Sequence, residues 1–221
     1  MRTVVFDLDG TLADTGADLV AAANVCFRGL GHGDMLHPVD DKFTAMRGGK
    51  AMLKLGFERL YGAADQAAID AQYPVLLEAY AENVCEHTKM FPGAADAVEA
   101  LNQAGYKTAI CTNKPEAMAE DLMQKLGVRG LFAALIGADT MPERKPHPLP
   151  YQEAVLRAGG EIETSLLVGD TETDHNTARA VGVPSVLVSF GPEGQGVTRM
   201  NPDAVLHHYD DLQNVVRGLI G

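Results

Sequence analysis

Three carboxylates, Asp7, Asp9 and Asp14, sit in the run VVFDLDGTLAD at residues 4–14, the first two with one residue between them, and two more, Asp170 and Asp174, follow the run SLLVG at 165–169. Between them in the chain stand Thr112, Asn113 and Lys114, after the run KTAIC, and Lys145 in the segment RKPHP. Charged carboxylates at the end of a buried strand are costly unless something pairs with them. Crowded together they repel one another, and burial raises their pKa values further unless a cation is present. A hard divalent ion such as Mg²⁺, which takes oxygen ligands and keeps several waters, meets that need. Asp170 and Asp174 are one helical turn apart, so both can face one point from the start of the helical pattern ETDHNTARAV. The Thr112 hydroxyl and the backbone N–H groups after it offer donors to a phosphate, and Lys145 supplies positive charge. These residue types suit a divalent cation and a phosphorylated molecule held in one place.

For that to happen the segments must converge. Short apolar runs recur with helical patterns between them: TVVFDL (3–8), KTAICT (107–112), AALIG (133–137), SLLVG (165–169), PSVLVS (184–189) and the weaker AVL (204–206). Near-continuous apolar runs suit strands covered on both faces, and their alternation with helices predicts an α/β fold with a parallel sheet and helices on both sides. Ligands of such sheets bind at the carboxyl ends of the strands, which is where Asp7, Asp9, Thr112 and Asp170 fall.

The interval 15–88 breaks the rhythm. It reads as helices, GADLVAAANVCFRGL, GKAMLKLGFERLYG and AADQAAIDAQYPVLLEAYAENV, with a Pro/Gly/His-rich turn GHGDMLHP after the first. The expected organisation is a discontinuous α/β core, 1–14 with 89–221, and an inserted helical domain, 15–88. Pro74 is expected to kink or divide the last of these helices. Asp14, with Thr15, is expected to cap the first.

Composition narrows the function classes. Of 221 residues 46% are hydrophobic, enough for one substantial core with a smaller lobe, and the net charge of −12 is a poor match for nucleic acid or an anionic membrane. The expected partner is a small phosphorylated metabolite. Cys26, Cys85 and Cys111 are odd in number and form no CxxC, so a reducing cytosol is the expected compartment. Neither an 18-residue apolar run nor a signal-peptide pattern is present. Oligomeric state is open.

Taken jointly, DLDGT at 7–11, Thr112 after an apolar strand, Lys145 before Pro146 and GDTETD at 169–174 resemble the four ordered motifs of the haloacid dehalogenase superfamily. The resemblance spans the whole core. It implies phosphoryl transfer through an aspartyl-phosphate, with Asp7 as nucleophile and Asp9 as general acid and base. It further implies Mg²⁺ held by Asp7, the Asp9 main-chain carbonyl and Asp170, with Asp174 supporting the ion directly or through a neighbour. Thr112, the Asn113 amide and Lys145 would hold the phosphoryl oxygens.

The second carboxylate, Asp9, separates this chain from dehalogenating members, since a halide needs no proton to leave. The insert resembles a small helical cap of that superfamily, which usually accompanies small substrates. DTGADLVAAAN and CTNKP resemble the phosphoglycolate phosphatase branch, and Leu19 stands where sugar-phosphate mutases carry histidine. Another phosphatase, for a nucleotide, a sugar phosphate or pyrophosphate, is the alternative. A phosphonate-cleaving enzyme would use a cap lysine, for which Lys42, Lys50 and Lys54 are available. A phosphate-sensing module without turnover is disfavoured by a general base at Asp9. In FTAMRGGK two glycines permit close backbone approach, and Arg47 is a candidate to clamp a substrate carboxylate. The bland reading of that segment is a solvated turn. His147 and His175 are expected to be bystanders, the loop GPEGQG (191–196), which follows the strand PSVLVS, to be a flexible loop with lining of the site entrance as the alternative, and Cys111 a core residue.

Overall fold

A computed structural model describes residues 1–45 and 47–221; the side chain of Lys42, one of the cap lysines considered above, lies outside the described residues. In chain order the strands are β1 (Thr3–Phe6), β2 (Ala13–Asp14), β3 (Lys89–Met90), β4 (Lys107–Cys111), β5 (Ala134–Ile136), β6 (Ser165–Gly169), β7 (Ser185–Val188) and β8 (Ala204–Leu206). The helices are α1 (Gly16–Gly29), α2 (Lys42–Ala45), α3 (Gly49–Tyr61), α4 (Gln66–Glu82), α5 (Ala94–Gln103), α6 (Glu116–Lys125), α7 (Pro148–Arg157), α8 (Glu172–Val181) and α9 (Leu212–Ile220). The chain divides into two compact units, Met1–Ala13 with Met90–Gly221, and Asp14–Lys89.

The first unit holds a six-stranded sheet in the order β5-β4-β1-β6-β7-β8, and each neighbouring pair is parallel. Every residue of β1 is buried, as the unbroken run TVVF requires when both faces are covered. Alternate side chains divide between those faces. Val5, Ala109, Cys111 and Leu167 join Tyr151, Ala154 and Val155 of α7 and Ala178 of α8 in one buried cluster. The intervening residues Val4, Phe6, Ile110, Leu166 and Val168 are buried as well. Phe6 meets Phe132 edge-on at 6.2 Å between ring centroids.

Register decides the site. Phe6 pairs with Ile110 of β4 on one side and Val168 of β6 on the other, so the three strands run out at one level. Chain connections diverge from β1 in opposite directions along the sheet, which leaves a crevice at the carboxyl end of β1. Asp7, Thr112 and Asp170 follow these strand ends directly.

The second unit is helical. Phe27 of α1 and Phe57 of α3 pack edge-to-face at 5.4 Å, and Ile69, Leu76, Ala79 and Tyr80 are the buried positions of α4. Of the two outcomes expected at Pro74, division does not occur: α4 runs as one helix with Pro74 inside it. A single missing N–H costs one hydrogen bond, and the buried apolar positions on both sides of Pro74 hold the helix together. Asp14 likewise departs from its expected capping role: it lies in β2, and Thr15, at the N-cap position of α1, makes no side-chain cap. Thr15 has φ −96° and ψ 0°, not the extended backbone that turns a capping oxygen back toward the helix.

Asp18, in the first turn of α1, ties the unit's two ends together. Its buried carboxylate accepts from the His87 backbone N–H (2.8 Å), the Thr88 N–H (3.0 Å) and the Thr88 hydroxyl (2.6 Å). Asp18→Ala strands these donors and is expected to destabilise the protein by about 1–3 kcal/mol. The midpoint of urea unfolding, followed by far-UV circular dichroism, checks this. No helix among the described residues is long and apolar enough to cross a membrane.

Candidate active site

At the end of β1 the backbone N–H of Asp7 still bonds to the Val168 carbonyl (2.9 Å), which fixes the Cα from which its carboxylate projects. The chain then turns sharply, and the N–H groups of Leu12 and Ala13 both return to the Leu8 carbonyl at 3.0 Å. Gly10 makes that turn at φ +81°, a left-handed conformation that side chains resist. Space imposes a second demand there, since a Cβ on Gly10 would lie 2.5 Å from Asp170 Oδ2.

Two lysines divide the carboxylates between them. Lys145, 3% exposed, places Nζ 2.7 Å from Asp174 Oδ1 and 2.8 Å from Asp7 Oδ1. The contact to Asp174 is a directed hydrogen bond; that to Asp7 is an ion pair with an angle too poor for one. Burial works to discharge Lys145, but Asp174 and Asp7 outweigh it and keep the ammonium charged. Lys114 grips both oxygens of Asp9, at 2.9 and 3.0 Å.

The other oxygen of Asp174 is also engaged. Oδ2 accepts from the Thr171 hydroxyl (2.9 Å) and from the N–H groups of Thr171 (3.2 Å) and Asp170 (3.3 Å), a capping box at the start of α8. Asp174 therefore locks Lys145 to the Asp170 turn. Asp170 differs. Its Oδ1 takes a 2.7 Å hydrogen bond from the Thr11 hydroxyl, while Oδ2 is buried with no hydrogen-bond partner among the described residues. Such an oxygen is expensive to leave bare.

The electrostatics match. Burial, opposed by Lys145, raises the Asp7 carboxyl to about 6, and burial with Asp174 nearby raises Asp170 well above the carboxylate range. One ligand oxygen from each of Asp7, Asp170 and Asp174 falls within a 4.8 Å span. Hard oxygen donors, an unpartnered buried carboxylate oxygen and excess negative charge all fit a divalent cation such as Mg²⁺.

Thr112 and Asn113 stand beside this cluster. The Thr112 N–H pairs with the Ile136 carbonyl (2.9 Å), and its hydroxyl accepts from the Lys114 N–H (3.2 Å), leaving the hydroxyl proton for an anion. The Asn113 side-chain amide donates to the Lys145 carbonyl (3.0 Å), which binds the β4 end to the lysine loop and leaves the Asn113 backbone N–H as the donor available to a ligand. Arg47 belongs to the helical unit and is exposed in the turn before Gly48. The histidines behave as expected: His147 caps α7 and His175 bonds to Ser185. Cys111 lies in the buried cluster under the sheet, its thiol pushed up to about 12 by burial.

Four contributors escaped the sequence reading. Lys114 was visible at the strand end but not its partner. Thr11, within DLDGT, anchors Asp170. Tyr209, buried and distant in sequence, donates to the Thr11 carbonyl at 2.7 Å and so braces the same turn. Gly191 opens the GPEGQG loop against the site: a Cβ there would lie 2.8 Å from both Asp170 Cβ and the Gly10 carbonyl oxygen. The placement of Lys114 and Thr11 inside recognisable segments offered a signal, as did the position of GPEGQG after the run PSVLVS.

Comparison with known proteins agrees with this arrangement. Residues 4–188 match the model of the haloacid dehalogenase-like hydrolases. A phosphoglycolate phosphatase of Mesorhizobium japonicum is 37% identical over 213 residues, spanning 95% of this chain and 92% of the relative. Another from Xanthomonas campestris pv. campestris is 40% identical over 194 residues, 86% of this chain and 84% of the relative. A crystal structure of a predicted phosphoglycolate phosphatase from Haemophilus somnus shares the fold, with a TM-score of 0.83 at 22% identity over 97% of each chain. With its strand-end aspartates, paired lysines and six-stranded parallel sheet, the chain belongs to the haloacid dehalogenase-like hydrolase family.

Proposed function

We propose that the protein is a Mg²⁺-dependent phosphatase that hydrolyses 2-phosphoglycolate to glycolate and phosphate through a phosphorylated Asp7. The observation that carries the hydrolytic reading is the separate handling of two neighbouring carboxylates, Asp7 beside Lys145 and Asp9 in the grip of Lys114. One is equipped to attack and the other to move a proton.

An Asp7 oxygen attacks phosphorus in line, forming an O–P bond as the ester P–O bond breaks. Asp9 gives the departing alkoxide its proton. Water then attacks phosphorus, passes a proton back to Asp9, and the Asp7–phosphorus bond breaks to release phosphate. Thr112, the Asn113 N–H and Lys145 hold the phosphoryl oxygens as their charge redistributes. Asp7, the Asp9 carbonyl and Asp170 would hold Mg²⁺, whose positive charge would offset the negative charge of the phosphoryl group. Asp174 keeps Lys145 and the Asp170 turn in place. The reaction proper needs residues of the first unit only; the helical unit, including Arg47, is proposed as the cap that excludes water and selects the substrate.

The choice of 2-phosphoglycolate is supported by the relatives that bear that activity in their names, and by Asp9 as a proton donor for an alkoxide. A panel of small phosphate esters, containing 2-phosphoglycolate, a nucleoside monophosphate, a hexose phosphate and pyrophosphate, is expected to give the highest kcat/KM with 2-phosphoglycolate. A clear preference for any of the others assigns the enzyme to that substrate instead.

A further inference from the structure

The proposed chemistry leaves one buried cation without a part. Lys114 is 7% exposed, projects from the end of β4, and closes a two-pronged ion pair on Asp9 with Nζ at 2.9 and 3.0 Å from its oxygens. Its backbone is held at both ends, by the N–H bond to the Thr112 hydroxyl (3.2 Å) and by its carbonyl, which accepts from Ala138 N–H at 2.9 Å. A buried ammonium pinned this way is not a solvated surface charge; its position is set by the fold.

The position matters because of what Asp9 must touch. On the reading above Asp9 protonates the leaving-group oxygen, so that oxygen lies within hydrogen-bond reach of the Asp9 carboxylate. An ammonium in contact with both Asp9 oxygens then stands within about 6 Å of the leaving-group oxygen. In 2-phosphoglycolate the carboxylate is separated from that oxygen by a single methylene, which brings a second anion into the same small volume. Lys145 is already committed to Asp174 and Asp7.

We propose that Lys114 is the specificity-determining cation of the core, a latch that holds Asp9 and transfers its contact to the substrate carboxylate. The exchange swaps one carboxylate partner of the ammonium for another, so the buried ammonium stays paired. Released from the two-oxygen grip, the Asp9 carboxylate can take up from solvent the proton that it then gives to the leaving-group oxygen. An ester with a neutral substituent has nothing to draw the ammonium away. Discrimination for an anionic leaving group is thus built into the core at β4, a task that the sequence alone points to Arg47 for.

The inference rests on the phosphatase reading, and the test keeps the two apart. The probes are 2-phosphoglycolate and 2-hydroxyethyl phosphate, which replaces the carboxylate by an alcohol of similar size; the readout is the ratio of their kcat/KM values in the full-length Mg²⁺-loaded enzyme. Lys114→Met is expected to lower that ratio about tenfold or more, the size of a lost charge-assisted hydrogen bond, with the change carried by KM for 2-phosphoglycolate. Should Lys114→Met fail to fold by circular dichroism, Lys114→Gln is read in the same way. Equal losses on both esters would make Lys114 a positioning residue for Asp9 or the phosphoryl group and overturn the latch, while the phosphatase reading stands. A wild-type enzyme that hydrolyses neither ester would overturn the 2-phosphoglycolate reading and the latch with it.

Discussion

Asp7→Asn is expected to reduce kcat for phosphate-ester hydrolysis by roughly 10⁴-fold or more, the scale seen when a nucleophile is removed from a site that otherwise stays assembled. The amide matches the carboxylate in shape but has no anionic oxygen to form the bond to phosphorus. Folding should survive, because the Asp7 N–H still bonds to Val168 and the burial that raises the native carboxyl to about 6 opposes its charged form. The variant should therefore be inactive but well folded, and a single-turnover assay with ³²P-labelled substrate should show no label on the protein. Label on the wild-type enzyme that resists hydroxylamine, or a variant with full activity, would remove the aspartyl-phosphate from the mechanism.

Asp170→Asn is expected to lose the response to divalent metal. Wild-type protein should gain thermal stability when Mg²⁺ is added after chelation, because an ion bound only by the folded state stabilises it by mass action. In the variant the carboxylate whose Oδ2 stands buried and unpartnered becomes an amide, and the Mg²⁺-induced shift should vanish. Activity should fall by about 10³-fold, as expected when several kcal/mol of electrostatic stabilisation go. Melting curves with and without Mg²⁺ report the loss independently of turnover. A variant that keeps the full thermal shift would place the ion elsewhere.

The two substitutions separate the roles of neighbouring carboxylates. Asp7→Asn should still bind metal, though more weakly, since Asp170 remains; Asp170→Asn should keep the nucleophile but lack the charge that makes attack on an anion feasible. Neither effect depends on the helical unit. The Lys114 substitutions act on a third quantity, the ratio between two esters.

Much of this was legible in the chain itself, and for identifiable reasons. A parallel sheet buried on both faces demands unbroken apolar runs, so TVVF, KTAIC, SLLVG and SVLV announced themselves. Polar residues directly after such runs must lie at the carboxyl edge, so the convergence of Asp7, Thr112 and Asp170 followed from topology before any distance was known. The helical insert was equally plain, because its period differs. Pro74 left both a kink and a division open, because residue identity reports the lost hydrogen bond but not the packing that compensates for it. Asp14 and Thr15 misled because a capping type of residue caps only when its backbone is extended, and that angle is set by the strand preceding α1.

Residue type and spacing by themselves determined which chemistry was available: two carboxylates with one residue between them, a third and fourth one helical turn apart, a hydroxyl and a lysine at a neighbouring strand end, and a second lysine in the segment RKPHP. Only the tertiary structure decided how these groups are partnered. Lys145 serves Asp7 and Asp174, Lys114 takes Asp9, Thr11 anchors Asp170, and Tyr209 braces Thr11 across 198 positions of sequence. The reason is physical. Element ends follow from local pattern, whereas a pairing between side chains of equal charge and similar reach is settled by differences of an ångström, and those are fixed only when strand register and core packing bring distant segments to one edge.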